Sequence, residues 1–358
     1  MKIRKILSLA FASALLFNIA CSDDEFVMET PQVDYANGII ISNEGGFSTP
    51  TSDVSYISND LGILQNGIYA ANNNNEILGS VLQTIGFRGD YAYLVMNSPN
   101  KIEIVNKHTF KKQATVTSNI DNPRYIAYSG NQYFVTNNNF STVKKLNVYN
   151  TNDNSFVKSI NFDRYAEKVV EAGGNIVVQT DGIYYDTTPP YASHPTGNTI
   201  TIVSPLTNSV SKTVDLPNTG AIIKDLVSYN GSAYVLTSND TSSYIYKINP
   251  ATGAYDTVTL TSIPQVQKLR IDSDKFYFVD NTKVYSMNIS STTAPTTALV
   301  TLTGVTSLYG FNVIDGRLFV ADAKTFTSDS KVSVYNANNG SLLSTFNTGI
   351  ATNGFYKN

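Results

Sequence analysis

The chain has 358 residues, 42% of them hydrophobic and 15% charged, which is the balance of a folded protein of one or two domains. Lys and Arg number 25 against 28 Asp and Glu, and this net charge of −3 argues against a nucleic-acid partner. A single Cys and two His exclude intramolecular disulfides and Cys/His zinc clusters, while 23 Tyr, 17 Phe, 22 Gly and 12 Pro favour a β-rich fold with many turns.

The first 35 residues are typical of an exported lipoprotein. Residues 1–20 combine a basic start, an apolar run from Ile6 to Leu16 and a small residue before Cys21, the pattern of a signal peptide whose apolar run is too short to span a membrane. Cys21 is the sole cysteine and stands at the processing position, so we expect it to carry a lipid. Residues 21–35 would then be a tether, and its Ser-Asp-Asp-Glu stretch resembles the acidic export signal of Bacteroidetes surface lipoproteins. We therefore expect a protein that is lipid-anchored in the outer membrane and faces the cell exterior.

From residue 36 onward one short pattern recurs seven times. It consists of a Gly, Asn or Asp turn, then an aromatic or aliphatic run, then a polar residue. The copies lie at 37–43, 89–97, 130–137, 173–179, 230–237, 274–280 and 315–322. Their spacing of roughly 40 to 58 residues is that expected of four-stranded propeller blades.

A second alternating strand follows each of the last six copies, as in Lys101–Val105 and Lys283–Met287. The final stretch Asn353–Lys357 looks like an inner strand without a blade, whereas the first copy has no inner strand before it. We therefore predict one all-β domain over residues 36–358, a seven-bladed β-propeller with four-stranded blades. The C-terminal strand would join the N-terminal blade and close the ring, which hides two sheet edges. Two separate domains are the alternative.

Several segments carry a resemblance to a known family. The segments that resemble the YncE-like propellers are Ile77–Gln83, Gly89–Asn97, Asn100–Val105 and Asn122–Ile126. More narrowly, they are similar to the Bacteroidetes surface lipoproteins of that group, which include the cobalamin-capturing BtuG type. The resemblance covers nearly the whole mature chain and is specific for fold and location more than for ligand. It implies a propeller that delivers a small nutrient, such as a corrinoid, to a TonB-dependent outer-membrane receptor.

Two sets of residues are candidates for binding a ligand at the channel mouth. Polar side chains follow the second strands, on the face where a propeller presents its loops: Asn43, Glu44, Asn97, Asn137, Asp181, Asn239, Asp280 and Asp322. Cations recur near the start of the inner strands, which line the channel: Arg88, Arg124, Lys168, Lys224 and Lys268 with Arg270. Such cations would draw an anionic ligand. The alternatives are that the polar residues form turns and that the cations face solvent or pair with neighbouring acids.

The longest loop on this face, residues 181–195, contains Tyr184, Tyr185, Tyr191 and His194. With its two adjacent prolines it predicts a semi-rigid aromatic flap that stacks on a planar ligand, with an imidazole available to a metal-centred one. Packing of the flap over a blade is the alternative.

Enzymatic functions fit the sequence less well. Quinoprotein propellers stack their cofactor on Trp, which is absent, and neither His accompanies a Gly-x-Ser-x-Gly motif. A propeller lactonase holding a divalent cation through Glu44, Asn137, Asn239 and Asp280 is one alternative, and a surface protein-interaction scaffold is another. We predict a non-catalytic protein, without cofactor or resident metal, that captures a small nutrient and passes it to a transporter.

Overall fold

The computed structural model describes residues 34–358 except 181–182, 196 and 218, and it leaves the side chains of 183, 184, 193 and 195 undescribed. The signal peptide, Cys21 and nearly all of the tether therefore lie outside the described residues. Within them the chain forms seven four-stranded antiparallel sheets, one two-stranded hairpin and one short helix. The sheets are the seven blades, and each runs from an inner strand at the central channel to an outer strand at the rim.

Every blade has the same strand order, and we give the strands of each from the channel outward. Blade 1 contains β30 (Thr352–Lys357), β1 (Gly38–Asn43), β2 (Asp53–Ser58) and β3 (Leu64–Gln65). Blades 2 and 3 contain β4 (Val81–Arg88), β5 (Tyr91–Ser98), β6 (Lys101–Asn106) and β7 (Lys112–Val116), then β8 (Pro123–Ser129), β9 (Gln132–Asn138), β10 (Lys144–Asn150) and β11 (Phe156–Asn161). Blade 4 contains β12 (Ala166–Ala172), β13 (Asn175–Thr180), β16 (Thr199–Ser204) and β17 (Ser209–Asp215), with the hairpin β14 (Ile183–Tyr185) and β15 (Ser193–Pro195) inserted.

The last three blades follow without insertion. Blade 5 contains β18 (Ile222–Tyr229), β19 (Ser232–Ser238), β20 (Ser243–Ile248) and β21 (Tyr255–Thr259). Blade 6 contains β22 (Val266–Asp272), β23 (Lys275–Asp280), β24 (Lys283–Asn288) and β25 (Val300–Thr301). Blade 7 contains β26 (Leu308–Ile314), β27 (Arg317–Asp322), β28 (Asp329–Asn336) and β29 (Leu342–Ile350).

The recurring sequence pattern is the second strand of each blade, and it is apolar because both of its faces are buried. In β5, Leu94 and Met96 pack in the cluster shared with blade 1, whereas Tyr93 and Val95 pack in the cluster shared with blade 3. One such cluster lies between each pair of neighbouring blades. The hydrophobic core is therefore a ring of seven inter-blade layers, and the channel is left to other side chains.

Ring closure occurs as predicted. The C-terminal β30 pairs antiparallel with β1, with Ile41 opposite Phe355. The ring of Phe355 packs against Phe319 of blade 7 at a centroid distance of 5.5 Å. Neighbouring inner strands contact one another all the way round, from β4 through β8, β12, β18, β22 and β26 to β30 and back to β4. The prediction of a seven-bladed propeller closed by its C-terminal strand is confirmed.

A short helix was not expected from the sequence. The helix α1 (Ile68–Asn72) follows the two-residue β3 and covers the outer part of blade 1. It forms because Ile68 and Tyr69 are buried against the core and because Asp53 Oδ1 accepts the Tyr69 N–H at 3.1 Å. Among the described residues, no helix is both long and apolar enough to cross a membrane.

Candidate functional site

All seven inner strands are interrupted by a β-bulge near their start. We call the end of the propeller where the inner strands begin and the second strands end the upper face. At each bulge the inner strand has one residue more than its partner, which re-aims side chains and is common beside binding sites. The bulged positions are Gln83, Arg124 with Tyr125, Glu167 with Lys168, Lys224, Gln267, Tyr309 and Asn353.

A polar cavity of about 700 Å³ occupies the channel inside this ring of bulges. Its lining includes bulge residues from five blades and follows the inner strands below them. The charged lining residues among those described are Glu44, Arg124, Lys168, Asp225, Lys268 and Arg270. Four cations therefore face two acids, and the hub of the propeller is a polar cavity rather than an apolar plug.

Asp225 pairs with two of the four cations that line the cavity, Lys168 and Arg270. One carboxylate oxygen accepts a hydrogen bond from Lys168 Nζ, and the other accepts Arg270 Nη1 at 2.7 Å and the Leu269 N–H at 3.0 Å. Burial opposes ionisation, but the charges of Lys168 and Arg270 hold the pKa of Asp225 well below its usual range. Burial likewise opposes the charge of Lys168, whose pKa is nevertheless raised by Asp225. One carboxylate from blade 5 thus satisfies cations of blades 4 and 6.

Arg124 is paired in the same way across blades 3 and 4. Its Nη2 lies 2.7 Å from Glu167 Oε1, its Nε is 3.1 Å from both carboxylate oxygens, and its Nη1 donates to Gln83 Oε1 at 2.6 Å. Although burial alone would lower it, the pKa of Arg124 is raised by Glu167. The ring of Phe140 lies 5.3 Å from the guanidinium carbon. The donors of Arg124 are largely engaged within the protein.

Glu44 lies on the opposite side of the cavity. Tyr309 OH donates to its Oε2 at 2.5 Å and Asn353 Nδ2 donates to the same atom at 3.2 Å. Burial raises the pKa of Glu44, although these two hydrogen bonds and the charge of Arg124 oppose the rise. Burial and the neighbouring Glu44 carboxylate raise the pKa of Tyr309 as well. The carboxyl group is therefore held by neutral donors and not by a cation.

Lys268 differs from the other cations of the cavity because it has no salt bridge or hydrogen bond to any residue that the structure describes. Its Nζ lies 5.9 Å from the centre of the Tyr309 ring. Burial and the charges of Lys168 and Arg270 lower the pKa of Lys268 to about 8, with Asp225 and Glu44 opposing the shift. Among the described residues, the cavity therefore contains one cation that is not neutralised by a salt bridge; we call it the uncompensated cation.

Five of the predicted site residues line this cavity: Glu44, Arg124, Lys168, Lys268 and Arg270. Two other predicted cations do not. Arg88 is the last residue of β4, so it lies at the far end of the inner strand instead of near its start, where it donates to the Gly130 carbonyl oxygen. Lys224 is the bulge residue of β18 but is outside the set that lines the cavity.

The predicted amides and carboxylates after the second strands mostly bond to the polypeptide itself. Asn43 bonds Ser55 and Thr352, Asn97 donates to the Pro123 carbonyl, and Asn137 accepts the Asp121 N–H at 3.0 Å. These side chains hold neighbouring strands and inter-blade loops together. They lie on the upper face but outside the cavity lining.

The remaining residues of this set behave similarly. Asn239 Oδ1 accepts the N–H groups of Thr241 and Ser242, which closes a turn. Asp322 Oδ1 accepts the Lys324 N–H at 3.0 Å and a second N–H from the preceding inter-blade loop. Asp280 ends β23, and burial raises its pKa. Asp181 lies outside the described residues.

The predicted flap forms the hairpin of β14 and β15. Its Tyr185 ring meets Phe140 edge to face at 5.8 Å, and Phe140 in turn contacts Arg124 of the cavity. Tyr191 is exposed, and His194 Nε2 lies 3.1 Å from Asp186 Oδ1. The side chain of Tyr184 lies outside the described part of the structure. The flap thus reaches the rim of the site through Tyr185.

Sequence reasoning missed Glu167, Asp225, Tyr309 and Asn353, each of which holds a cavity residue in place. The signal that points to them is position, because all four lie within the first four residues of an inner strand. Of the four residues considered for a lactonase cation, Glu44 alone is among the described lining residues. No cluster of three or more His, Cys, Asp or Glu suited to a metal occurs in the described part of the chain.

Comparison with known proteins shows the fold and a family. One similar solved structure is the computationally designed protein Ika8, with 11% identity and a TM-score of 0.57 over 88% of this chain and 89% of that one. A second is the dihydro-heme d1 dehydrogenase NirN, with 12% identity and a TM-score of 0.54 over 91% of this chain and 76% of that one. A third is BamB from Moraxella catarrhalis, with 15% identity and a TM-score of 0.52 over 89% of this chain and 88% of that one. At these identities the likeness concerns the propeller fold alone. No curated protein matches the chain. A family model described as a domain of unknown function, DUF5074, matches residues 37–349, and because this is most of the chain, the protein belongs to the DUF5074 family.

Proposed function

We propose that this protein captures a small anionic ligand in its central cavity and performs no chemistry on it. The observation that carries the proposal is that Lys268 has no salt bridge or hydrogen bond to a described residue, in a cavity whose described lining has four cations and two acids. Arg124 is paired with Glu167, while Lys168 and Arg270 share Asp225. An anion at Lys268 would supply the salt bridge that no described residue provides.

The surroundings favour such binding. The chain as a whole is acidic, with a net charge of −3, so the cationic cavity is a local feature of the upper face. A charged group inside a cavity interacts more strongly than one at a surface, because the local dielectric constant is lower. A charge-assisted hydrogen bond from Lys268 to a carboxylate or phosphate is worth about 1.5–3 kcal/mol.

In its narrower form the proposal concerns location and delivery. The lipoprotein pattern ending at Cys21 and the acidic stretch after it support a surface protein of the outer membrane. The resemblance to nutrient-capturing propeller lipoproteins supports transfer of the ligand, a corrinoid such as cobalamin or another anionic nutrient, to a TonB-dependent receptor. The upper face, with its loops and open cavity, is the end at which a ligand would enter and leave.

Isothermal titration of the mature protein at pH 7 tests the binding proposal, with phosphate, citrate and cobalamin as separate ligands. We expect at least one of the anions to bind and Lys268→Met to weaken it by about tenfold to a hundredfold. The matched control is Lys275→Met, because Lys275 begins the second strand of the same blade, away from the cavity lining. Equal affinities of wild type and Lys268→Met would refute the proposal.

The location is tested separately. Wild-type protein expressed in a Bacteroidetes host should incorporate labelled palmitate and be digested by protease added to intact cells. Cys21→Ser should lose the label and the membrane fraction. A wild-type protein that is unlabelled, or is protected in intact cells, would refute the surface lipoprotein.

A further inference from the structure

An exposed aromatic ring on the upper face has a backbone conformation that bulky residues rarely adopt. Phe326, in the loop between β27 and β28, has φ of 63° and is 41% exposed. A positive φ is unfavourable for a residue with a large side chain. Phe110 has a similar φ of 55°, but its ring is completely buried in the core, so packing offsets the strain. The ring of Phe326 is too exposed for its burial to offset the strain of the positive φ in this way.

The loop that carries Phe326 is firmly held. Asp322 Oδ1 accepts the Lys324 N–H at 3.0 Å, and Ser307 Oγ donates to the Lys324 carbonyl oxygen at 2.8 Å. The Phe326 N–H donates to the Ala323 carbonyl oxygen at 2.9 Å. The strained conformation is thus fixed by hydrogen bonds, as is typical of residues that a site positions in advance.

Phe326 and Lys268 contact the same ring, that of Tyr309, which lines the cavity. The ring of Phe326 meets Tyr309 edge to face, with centroids 4.9 Å apart and an interplanar angle of 82°, and Lys268 Nζ lies 5.9 Å from the same Tyr309 ring. Among the described residues, Tyr309 is the one aromatic ring in contact with Phe326. An incoming ring can therefore stack on Phe326 or extend the edge-to-face pair.

The other aromatic side chain at the rim, Phe140, already contacts several side chains of the protein. Phe140 also has a positive φ, of 55°, but its ring contacts the Arg124 guanidinium at 5.3 Å and the rings of Tyr165 and Tyr185 at 5.8 Å each. Phe140 thus packs against the Arg124 pair and the flap. On the other side, Tyr309 connects Phe326, which has a single described ring contact, to Lys268, which has no described salt bridge, so an aromatic anion could reach both a ring and a cation there.

We propose that the ligand is an aromatic anion, with its ring against Phe326 and Tyr309 and its carboxylate or phosphate on Lys268. This inference rests on the proposed function and narrows the ligand from small anions in general to those that carry a flat ring next to the charge. Aromatic pairs contribute about 0.5–1.5 kcal/mol beyond burial, which corresponds to about a fivefold preference over a ring-free anion of equal charge.

Methyl phosphate and phenyl phosphate are a suitable pair of probes, because they carry the same charged group and differ in the ring. Titrated calorimetrically against the mature protein at pH 7, phenyl phosphate should bind about fivefold more tightly. Phe326→Leu should remove that preference while leaving the affinity for methyl phosphate unchanged. Phe47→Leu is the matched control, since Phe47 is an 88% exposed aromatic on the upper loop after β1 and, unlike Phe326, makes no described ring contact with Tyr309, and it should keep the preference.

The outcomes separate this inference from the function it rests on. Equal affinities for the two probes in wild type would overturn the aromatic subsite and leave anion capture standing. A preference that survives in Phe326→Leu would likewise overturn it, whereas failure of both probes to bind would overturn anion capture itself. If Phe326→Leu does not fold, Phe326→Tyr should keep the preference, and the phenyl protons of the wild-type complex should shift upfield in NMR; no shift would also overturn the subsite.

Discussion

Two lysines that face the same cavity should respond oppositely to the same substitution. Lys168 is paired with Asp225, whereas Lys268 lacks a salt bridge among the described residues. Replacement by Met keeps an unbranched apolar side chain that is one atom shorter and removes the charge. Lys168→Met should therefore destabilise the fold, and Lys268→Met should weaken anion binding without destabilising it.

The expected magnitudes follow from the contacts of Asp225. Its side chain is 1% exposed, and without Lys168 it keeps Arg270 and backbone N–H groups as donors. Breaking a buried pair costs about 3–5 kcal/mol, and because one cation remains we expect about 3 kcal/mol. For a domain of this size that lowers the Tm by about 4 °C. Lys268→Met removes a cation that Lys168 and Arg270 repel, so the Tm should stay or rise while anion affinity falls about tenfold to a hundredfold.

Differential scanning calorimetry at pH 7 gives the Tm of wild type and both variants, and titration with the anion that binds gives the affinities. The comparison is internal because the two substitutions are chemically identical and face one cavity. An equal fall in Tm for the two variants would mean that Lys268 contributes to the fold as Lys168 does. The assignment of Lys268 as the ligand-binding cation would then be refuted.

Three further predictions follow from the same structure. Burial and nearby cations lower the pKa of Lys268 to about 8, so the affinity for sulfate should be constant below pH 8 and fall about tenfold per pH unit above it. A calorimetric affinity that stays constant up to pH 10 would contradict this. Phe355→Ala should cost about 3–5 kcal/mol in urea unfolding, since the ring is 1% exposed in the strand that closes the propeller; a loss below 1 kcal/mol would show that closure contributes little. Deleting residues 184–194 should weaken ligand binding with almost unchanged Tm, and a large loss of Tm would mean that the flap packs structurally.

The fold was predictable because the propeller repeats one strongly patterned element. Each second strand is buried on both faces, so every blade has an apolar run at this position, as in β5 and β23. The predicted closure was visible as an unmatched strand at 353–357. The short helix α1 was not predicted, because it depends on the carboxylate of Asp53, which lies outside the helix in sequence.

The site was predictable only in part. Arg124, Lys168 and Lys268 were found as cations near the start of inner strands, and the structure brings them to one cavity. The bulges that aim such residues have no clear sequence signature, since one extra residue in a strand does not change its composition. Pairing is equally invisible, because Asp225 lies 57 residues from Lys168 in sequence and belongs to another blade.

The polar character of the hub argues for a function, since the fold does not need it. The seven inter-blade clusters stabilise the ring without the channel side chains, and replacing buried ion pairs by apolar residues of similar volume is often neutral or stabilising. Paired charges such as those of Asp225 could still be explained by conformational specificity. Lys268 is different, because burial and neighbouring cations disfavour its charge and no described residue forms a salt bridge with it. Binding of an anion removes that cost, and this is why Lys268, and not the number of charges in the cavity, is the strongest argument for capture.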